Sequence, residues 1–261
     1  MDIHKPKAAH NWREFAIEIA TIICGIVIAL GLEQLVEAVH RGQEVAEAKQ
    51  RLSVELGTLL GQAEFRARAS ACVERRLDEL AAVVGTAAKS GRLPPMGEPG
   101  FPSVFVWGSG AWQSAASGQT VAHLSPDEVI GYSSAYKFIG LVDDANNRAE
   151  GSVWTTLYGL AGPGRPFDAA DAAKYRQAIS EARYLDSIIG GMGVRAHQAL
   201  DAYHIPFNRN RYNKVLSRSV ESTSICQPIA TTTPSDYGAA PARDFIASAR
   251  AHPLRPQGID R

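Results

Sequence analysis

The sequence predicts a mainly α protein: an N-terminal transmembrane helix continues into a long helix, followed by an extracytoplasmic helical bundle. Three observations predict it. Residues 15–32 hold eighteen residues and a single charge, Glu18, close to the about 20 apolar residues a helix needs to cross a bilayer core. Residues 33–90 contain no Pro and repeat apolar side chains every seventh position, a helical period. Further along, Ser125 and Asp168 stand where helices start, and runs of alternating Val, Thr and Tyr are scarce.

Residues 1–14 read as a short cytoplasmic lead. Lys5 and Lys7 flank Pro6 and suit anionic head groups, and His4 and His10 read as solvated. Residues 15–36 read as the anchor, with Trp12 at the interface and Leu35 and Val36 extending the apolar surface. A buried or interfacial helix is one competing reading, which Ile and Val on every face argue against; a cleaved signal, from a basic start followed by an apolar run, is the other. It fits less well, because the run exceeds the usual 7 to 15 residues and no Ala-x-Ala site follows it. Residues 1–13 carry three Lys or Arg, whereas residues 33–47 carry four Glu and one Arg. That bias orients the N-terminus to the cytoplasm and the rest of the chain outside, in the periplasm of a Gram-negative cell.

Within the anchor, Thr21, Gly25 and Ala29 recur at every fourth position and share one face. A ridge of small residues lets a second membrane helix approach closely. Glu18, seven residues before Gly25, lies on the same face; a carboxylate at such depth turns to protein, water or a head group. These four residues predict association with a membrane helix of a second copy or of another inner-membrane protein, a homo-oligomer being one such arrangement.

Residues 37–226 read as the extracytoplasmic helical domain. Counting by seven from Val45 gives Leu52, Leu59, Arg66, Val73, Leu80 and Ala87, with Lys49, Leu56, Ala63, Ser70, Leu77 and Val84 as companions. Arg66 and Ser70 interrupt an otherwise apolar seam. Two arrangements fit: one member of a bundle, or a parallel coiled-coil stalk between protomers. Gly57 and Gly61 each cost a helix about 1 kcal/mol, so they mark a close approach by another helix or a bend. Residues 91–103, with Gly91, Pro94, Pro95, Gly97, Pro99, Gly100 and Pro102, form a loop. The apolar residues 104–107 then form a short strand or lead into a small helix at 111–116, with Trp107 and Trp112 as core anchors.

Ser125-Pro126-Asp127-Glu128 combines an N-cap, a Pro at the first helical position and a capping-box Glu. It opens a helix over 125–160, bent near Gly140 or Gly151. Residues 162–166 end that helix, and Asp168 caps the next, which runs to Pro206 and is divided around Gly190, Gly191 and Gly193. Arg209, Arg211, Lys214 and Arg218 read as a solvated helix face, phosphate binding being the alternative. Residues 227–261 read as a Pro- and Thr-rich, loosely ordered tail with a short helix at 242–249.

Equal numbers of basic and acidic residues, 27 each, advertise no nucleic-acid surface. Ser134-x-x-Lys137 has the spacing that puts a nucleophile one turn from a base, but no Ser-Asp-Asn or Lys-Thr-Gly accompanies it. Asp201 and His204, with His197 one turn earlier, match half of a metal site in a bundle, without the second carboxylate–His pair a di-metal centre needs. There is no Gly-rich phosphate loop and no Cys-x-x-Cys. The sequence thus predicts a structural or interaction protein without a cofactor; an anchored Ser-x-x-Lys hydrolase or a metal-binding bundle enzyme is the alternative. Cys24 lies in the span, leaving Cys72 and Cys226 outside; in an oxidising compartment they are expected to pair, two separately buried thiols being the alternative.

Trp12-Arg-Glu-Phe15, Glu18, Gly25-Ile-Val-Ile-Ala-Leu30 and Glu33-Gln34 together resemble the N-terminal signature of a family of uncharacterised bacterial single-pass inner-membrane proteins. In that family a charged lead runs into a Gly-Ile-x-Ile-Ala-Leu membrane helix, followed by a polar pair and a long extracytoplasmic helix. Ala111-Trp112-Gln-Ser-Ala-Ala-Ser-Gly118 is similar to a Trp-containing segment further along. The family has Asn-Asn-Trp after the span where this chain has Glu33-Gln34-Leu35. The resemblance covers about 35 residues and implies placement and topology, with no activity attached.

Overall fold

A computed structural model describes residues 12–229. The lead residues 1–11, and the tail beyond 229 with its expected helix at 242–249, lie outside the described residues. Helix α1 (Trp12–Ser90) runs unbroken for 79 residues, about 118 Å at 1.5 Å per residue. Its first part is apolar enough to cross a membrane, with a mean hydropathy of 2.5 over eighteen residues and none of that surface buried within the chain. Residues 37–44 are also exposed, and burial begins with Val45 and Ala48. Gly91, at φ +69°, turns the chain away after Ser90 in the left-handed conformation that glycine adopts freely.

The heptad seam predicted from Val45 onward is the core face. Leu52, Leu56, Leu59, Ala63, Val73, Leu77, Leu80, Val84 and Ala87 are all buried. They are covered by elements of the same chain, so the bundle arrangement holds and the seam is not left for a stalk between protomers. Those elements are α2 (Gly110–Ser117), a 3-10 turn (Gln119–His123), α3 (Pro126–Asp143), a π-helical turn (Asp144–Glu150), α4 (Gly151–Tyr158), α5 (Ala169–Ala202) and α6 (Arg209–Leu216). Successive contacts give the directions. Lys49 meets Glu128 and Glu55 meets Tyr136, so α3 runs parallel to α1; Asp78 meets Arg183, Ser70 meets Asp186 and Ala63 meets Gly193, so α5 runs antiparallel.

Both expected helix starts are present. Ser125 and Glu128 form a reciprocal capping box with Pro126 in the first turn. Asp168 accepts from the Asp171 amide at 2.8 Å. The expected bend near Gly140 or Gly151 takes another form: a π turn at Asp144–Glu150. Asn146 and Glu150, four residues apart on one face, are buried on the core side, so this polar stretch is partly interior. Nor is α5 divided at its glycines. It continues through them, and Gly193 passes so close to Ala63 that an added Cβ would lie 3.1 Å from the Ala63 Cβ. Residues 104–107 form no strand. They carry no regular secondary structure and are tied down by Asn146 and Asn147, which donate to the Ser103 and Phe105 carbonyls. The paired strands are β1 (Arg92–Leu93) and β2 (Arg165–Pro166), antiparallel, in and after the two Pro- and Gly-rich breaks.

Gly57 and Gly61 mark a close helix approach. Asn208 sits directly over Gly57, and the Tyr212 carbonyl and the Val215 side chain lie within about 3 Å of where a Cβ on Gly61 would stand. Replacing glycine by alanine inside an exposed helix normally stabilises by about 1 kcal/mol. Gly85, with no atom within 4 Å of an added Cβ, should follow that rule. Gly57→Ala should reverse it, losing about 1–3 kcal/mol through overpacking against the Asn208 backbone. Chemical denaturation of both variants followed by tryptophan fluorescence tests this, and a stabilised Gly57→Ala would show that α6 is not seated on α1.

Candidate functional site

Docking of α6 on the glycine face of α1 builds a groove. Asn208 caps α6, accepting from the Arg211 amide at 3.0 Å, and its own amide donates to the Ser53 carbonyl at 2.9 Å. Phe207, His197 and Tyr212 pack edge to face behind it, with ring centroids 5.4–5.6 Å apart. Burial between these rings lowers the His197 pKa below the usual histidine value, which favours the neutral imidazole. Between α1, the 106–111 segment and α6 lies an open groove of about 960 Å³.

Its charged lining is mainly basic: Arg51 from α1, Arg211 and Lys214 from α6, and Arg218 just past the end of α6. Arg211 and Lys214, at i and i+3, share one face of the helix. Among the described residues Arg51 has a salt bridge only to exposed Glu47, and Arg211, Lys214 and Arg218 have none. One carboxylate, Glu55, lines the groove, but it is engaged. It accepts from the Ala111 amide at 2.9 Å, the Trp112 amide at 3.4 Å and the Tyr136 hydroxyl at 2.7 Å, thereby fixing the start of α2. Trp112 stacks on Tyr136 with centroids 5.5 Å apart. Burial raises both nearby phenols, Tyr132 to about 12 and Tyr136 further, with the Glu55 hydrogen bond adding to the latter, so both remain protonated donors.

Behind the groove, the core holds a charged cluster. Arg66 pairs with Glu150 and lies 2.9 Å from Asp186. Asn146 donates to Glu150 at 2.8 Å and accepts from the Trp107 indole at 3.1 Å, and Ser70 donates to Asp186. Two carboxylates face one guanidinium, all buried. Burial pushes the Glu150 carboxyl above the usual carboxylate range, against the lowering pull of Arg66 and Asn146. The arrangement specifies how α1, the π turn and α5 register; it offers no opening to a substrate.

Cys72 and Cys226 are joined, with Cα atoms 4.9 Å apart, as expected. Glu18, Thr21, Gly25 and Ala29 lie on the solvent-facing first part of α1. The Thr21 hydroxyl donates to the Ile17 carbonyl at 2.8 Å, and nothing stands within 4 Å of an added Gly25 Cβ. Ser134 and Lys137 lie on α3, with Lys137 exposed and no hydrogen bond between them. No group of three metal-ligating side chains forms among the described residues. His204 instead takes the left-handed position after α5, at φ 52°, with the Ile205 amide returning to the Leu200 carbonyl, a helix-ending role. Arg66 reads in sequence as a break in the seam, and its partners, far along the chain, are not legible there. Arg209, Lys214 and Arg218 are exposed and Arg211 is partly buried, in keeping with a solvated face. Comparison with known proteins finds no matching family model, no matching curated protein and no matching solved structure.

Proposed function

We propose that this chain is a single-pass inner-membrane protein of the structural or interaction kind, presenting a rigid helical domain on the periplasmic side. The observation that carries the reading is α1 itself: one unbroken helix that is an exposed apolar span at one end and the centre of a bundle at the other. A partner that moves or holds the span therefore acts directly on the domain. The excess of basic residues before the span and of Glu after it, together with the Cys72–Cys226 pair, supports the outside placement. So does the resemblance of the anchor motif to single-pass inner-membrane proteins. The face of Glu18, Thr21, Gly25 and Ala29 is assigned to a second membrane helix, of another copy or of another protein. No catalytic step is assigned to the chain.

Alkaline phosphatase fused after residue 261 tests the placement: the fusion should be active, and the protein should stay with membranes through alkaline carbonate washing. In the same cells, an energy-transfer assay on the span should give a signal above a monomeric control. Gly25→Ile should lose that signal and Val27→Ile should keep it. A full-length but inactive fusion would overturn the orientation, and no signal from the wild-type span would overturn self-association.

A further inference from the structure

We propose that the basic groove between α1 and α6 is a binding site for a single-chain amphiphile with a phosphate head. The head-group part is the set of Arg51 from α1, Arg211 and Lys214 from α6, and Arg218 from the turn after α6, all lining one opening. Guanidinium groups suit phosphate oxygens, which they bind through paired N–H donors. Among the described residues, no carboxylate neutralises these cations fully: Glu47 reaches Arg51 only at 3.6 Å and is exposed, and Glu55 is turned to the α2 amides and Tyr136. The groove is therefore short of negative charge.

The chain-binding part is apolar. Val54, Leu59, Val106 and Val215 line the same opening; Leu59 and Val215 are buried as its floor, Val54 is partly buried, and Val106, 85% exposed, stands at the lip uncovered by any described residue. A volume of about 960 Å³ matches the upper range of small-molecule sites, about 300–1,000 Å³. A free phosphate would leave Val106 and the exposed part of Val54 uncovered, and a neutral lipid would leave the cations unmatched. The chain's own end is a poor occupant, because residues 230–261 carry four Arg against three Asp. The groove begins at Gln50, about 21 Å along α1 from residue 36 at 1.5 Å per residue. On the membrane-anchor reading it therefore stands clear of the head groups and takes a molecule that has left the bilayer. Binding itself does not rest on that reading.

Calorimetry on the full chain in zwitterionic nanodiscs tests the proposal with hexyl phosphate, inorganic phosphate and hexyl glucoside as probes. Hexyl phosphate should bind saturably at one site per chain and more tightly than either other probe. Arg211→Gln combined with Lys214→Gln should weaken it ~tenfold or more, about 1.4 kcal/mol. Arg209→Gln, on the same helix but stacked 4.6 Å over the Phe207 ring, should change it by less than about twofold, a difference well under that amount. Val106→Ser should weaken hexyl phosphate and leave inorganic phosphate unchanged. No saturable binding of hexyl phosphate, or equal loss in Arg209→Gln, would overturn the site. Inorganic phosphate binding as tightly as hexyl phosphate would overturn the amphiphile as its ligand. Because the assay uses purified protein, these outcomes are separate from those of the topology experiment.

Discussion

Arg66→Met is expected to destabilise the domain by about 3–5 kcal/mol, the usual cost of removing one partner from a buried ion pair. Arg66 and Glu150 are 0% exposed and Asp186 is 5% exposed, so the two carboxylates left behind would have neither water nor a counter-charge. The triple variant Arg66→Met, Glu150→Gln, Asp186→Asn keeps acceptors for Asn146 and Ser70 while removing every charge. It should recover at least half of the loss, because the damage comes from unpaired charge rather than from missing volume. Denaturation of the full chain in detergent, followed through buried Trp107 and Trp154, measures both. An Arg66→Met variant within about 1 kcal/mol of wild type would place the cluster in contact with water, where pairs are worth that little.

The same cluster sets a pH dependence whose sign can be worked out. The Glu150 carboxyl is raised above its ordinary value, first by burial. Between the unfolded and the folded pKa, the native state keeps a proton that the unfolded chain has lost. Stability therefore falls as pH rises through that window. The ion-paired Asp171 and Glu128 are lowered, by Arg165 and Lys49 respectively, and act in the opposite sense, losing their contribution as pH falls. Both are present in wild type and in Glu150→Gln, so the difference between the two proteins isolates Glu150. That difference should decline from about pH 4 upward, the ordinary Glu pKa being near 4.3; a flat difference would reject a raised Glu150.

Removing the disulfide with Cys72→Ala and Cys226→Ala should cost about 2–5 kcal/mol. The two residues are 154 apart, and a loop of that length gives about 5 kcal/mol in the chain-entropy model. The end of the fold has other attachments that limit the loss. Ile225 is fully buried, Arg75 donates to the Cys226 carbonyl at 2.8 Å, Arg76 donates to the Gln227 carbonyl, and Ser224 bonds the Phe101 amide and carbonyl. The measured value should therefore fall toward the lower part of the range, with hydrogen exchange rising first at residues 220–227. Non-reducing peptide mapping of wild type should recover the 72–226 cross-link. Equal denaturation midpoints with and without reductant would assign the attachment to Ile225 and the arginines alone.

The chain's linear order determined what depends on neighbours in sequence. An apolar run from residue 15, the cap at Ser125, the cap at Asp168 and the seven-residue spacing from Leu52 each act over one or a few helical turns, so each is legible without knowing what lies opposite. The Cys72–Cys226 pairing was legible by elimination, because only two cysteines lie beyond the span. Tertiary structure decided the rest. Arg66 reads as a flaw in a seam because Glu150 is 84 residues away and Asp186, which also takes Ser70, is 116 from that serine. The π turn reads as ordinary polar helix because its winding answers to Arg66 and Trp107 across the core, not to its own composition. Gly57 and Gly61 announced a close approach but not by which helix. The groove's charge balance depended on Glu55 being turned away to hold α2. Spacing along the chain specifies the face a side chain takes, whereas a counter-charge or a neighbouring backbone is specified only when the helices pack.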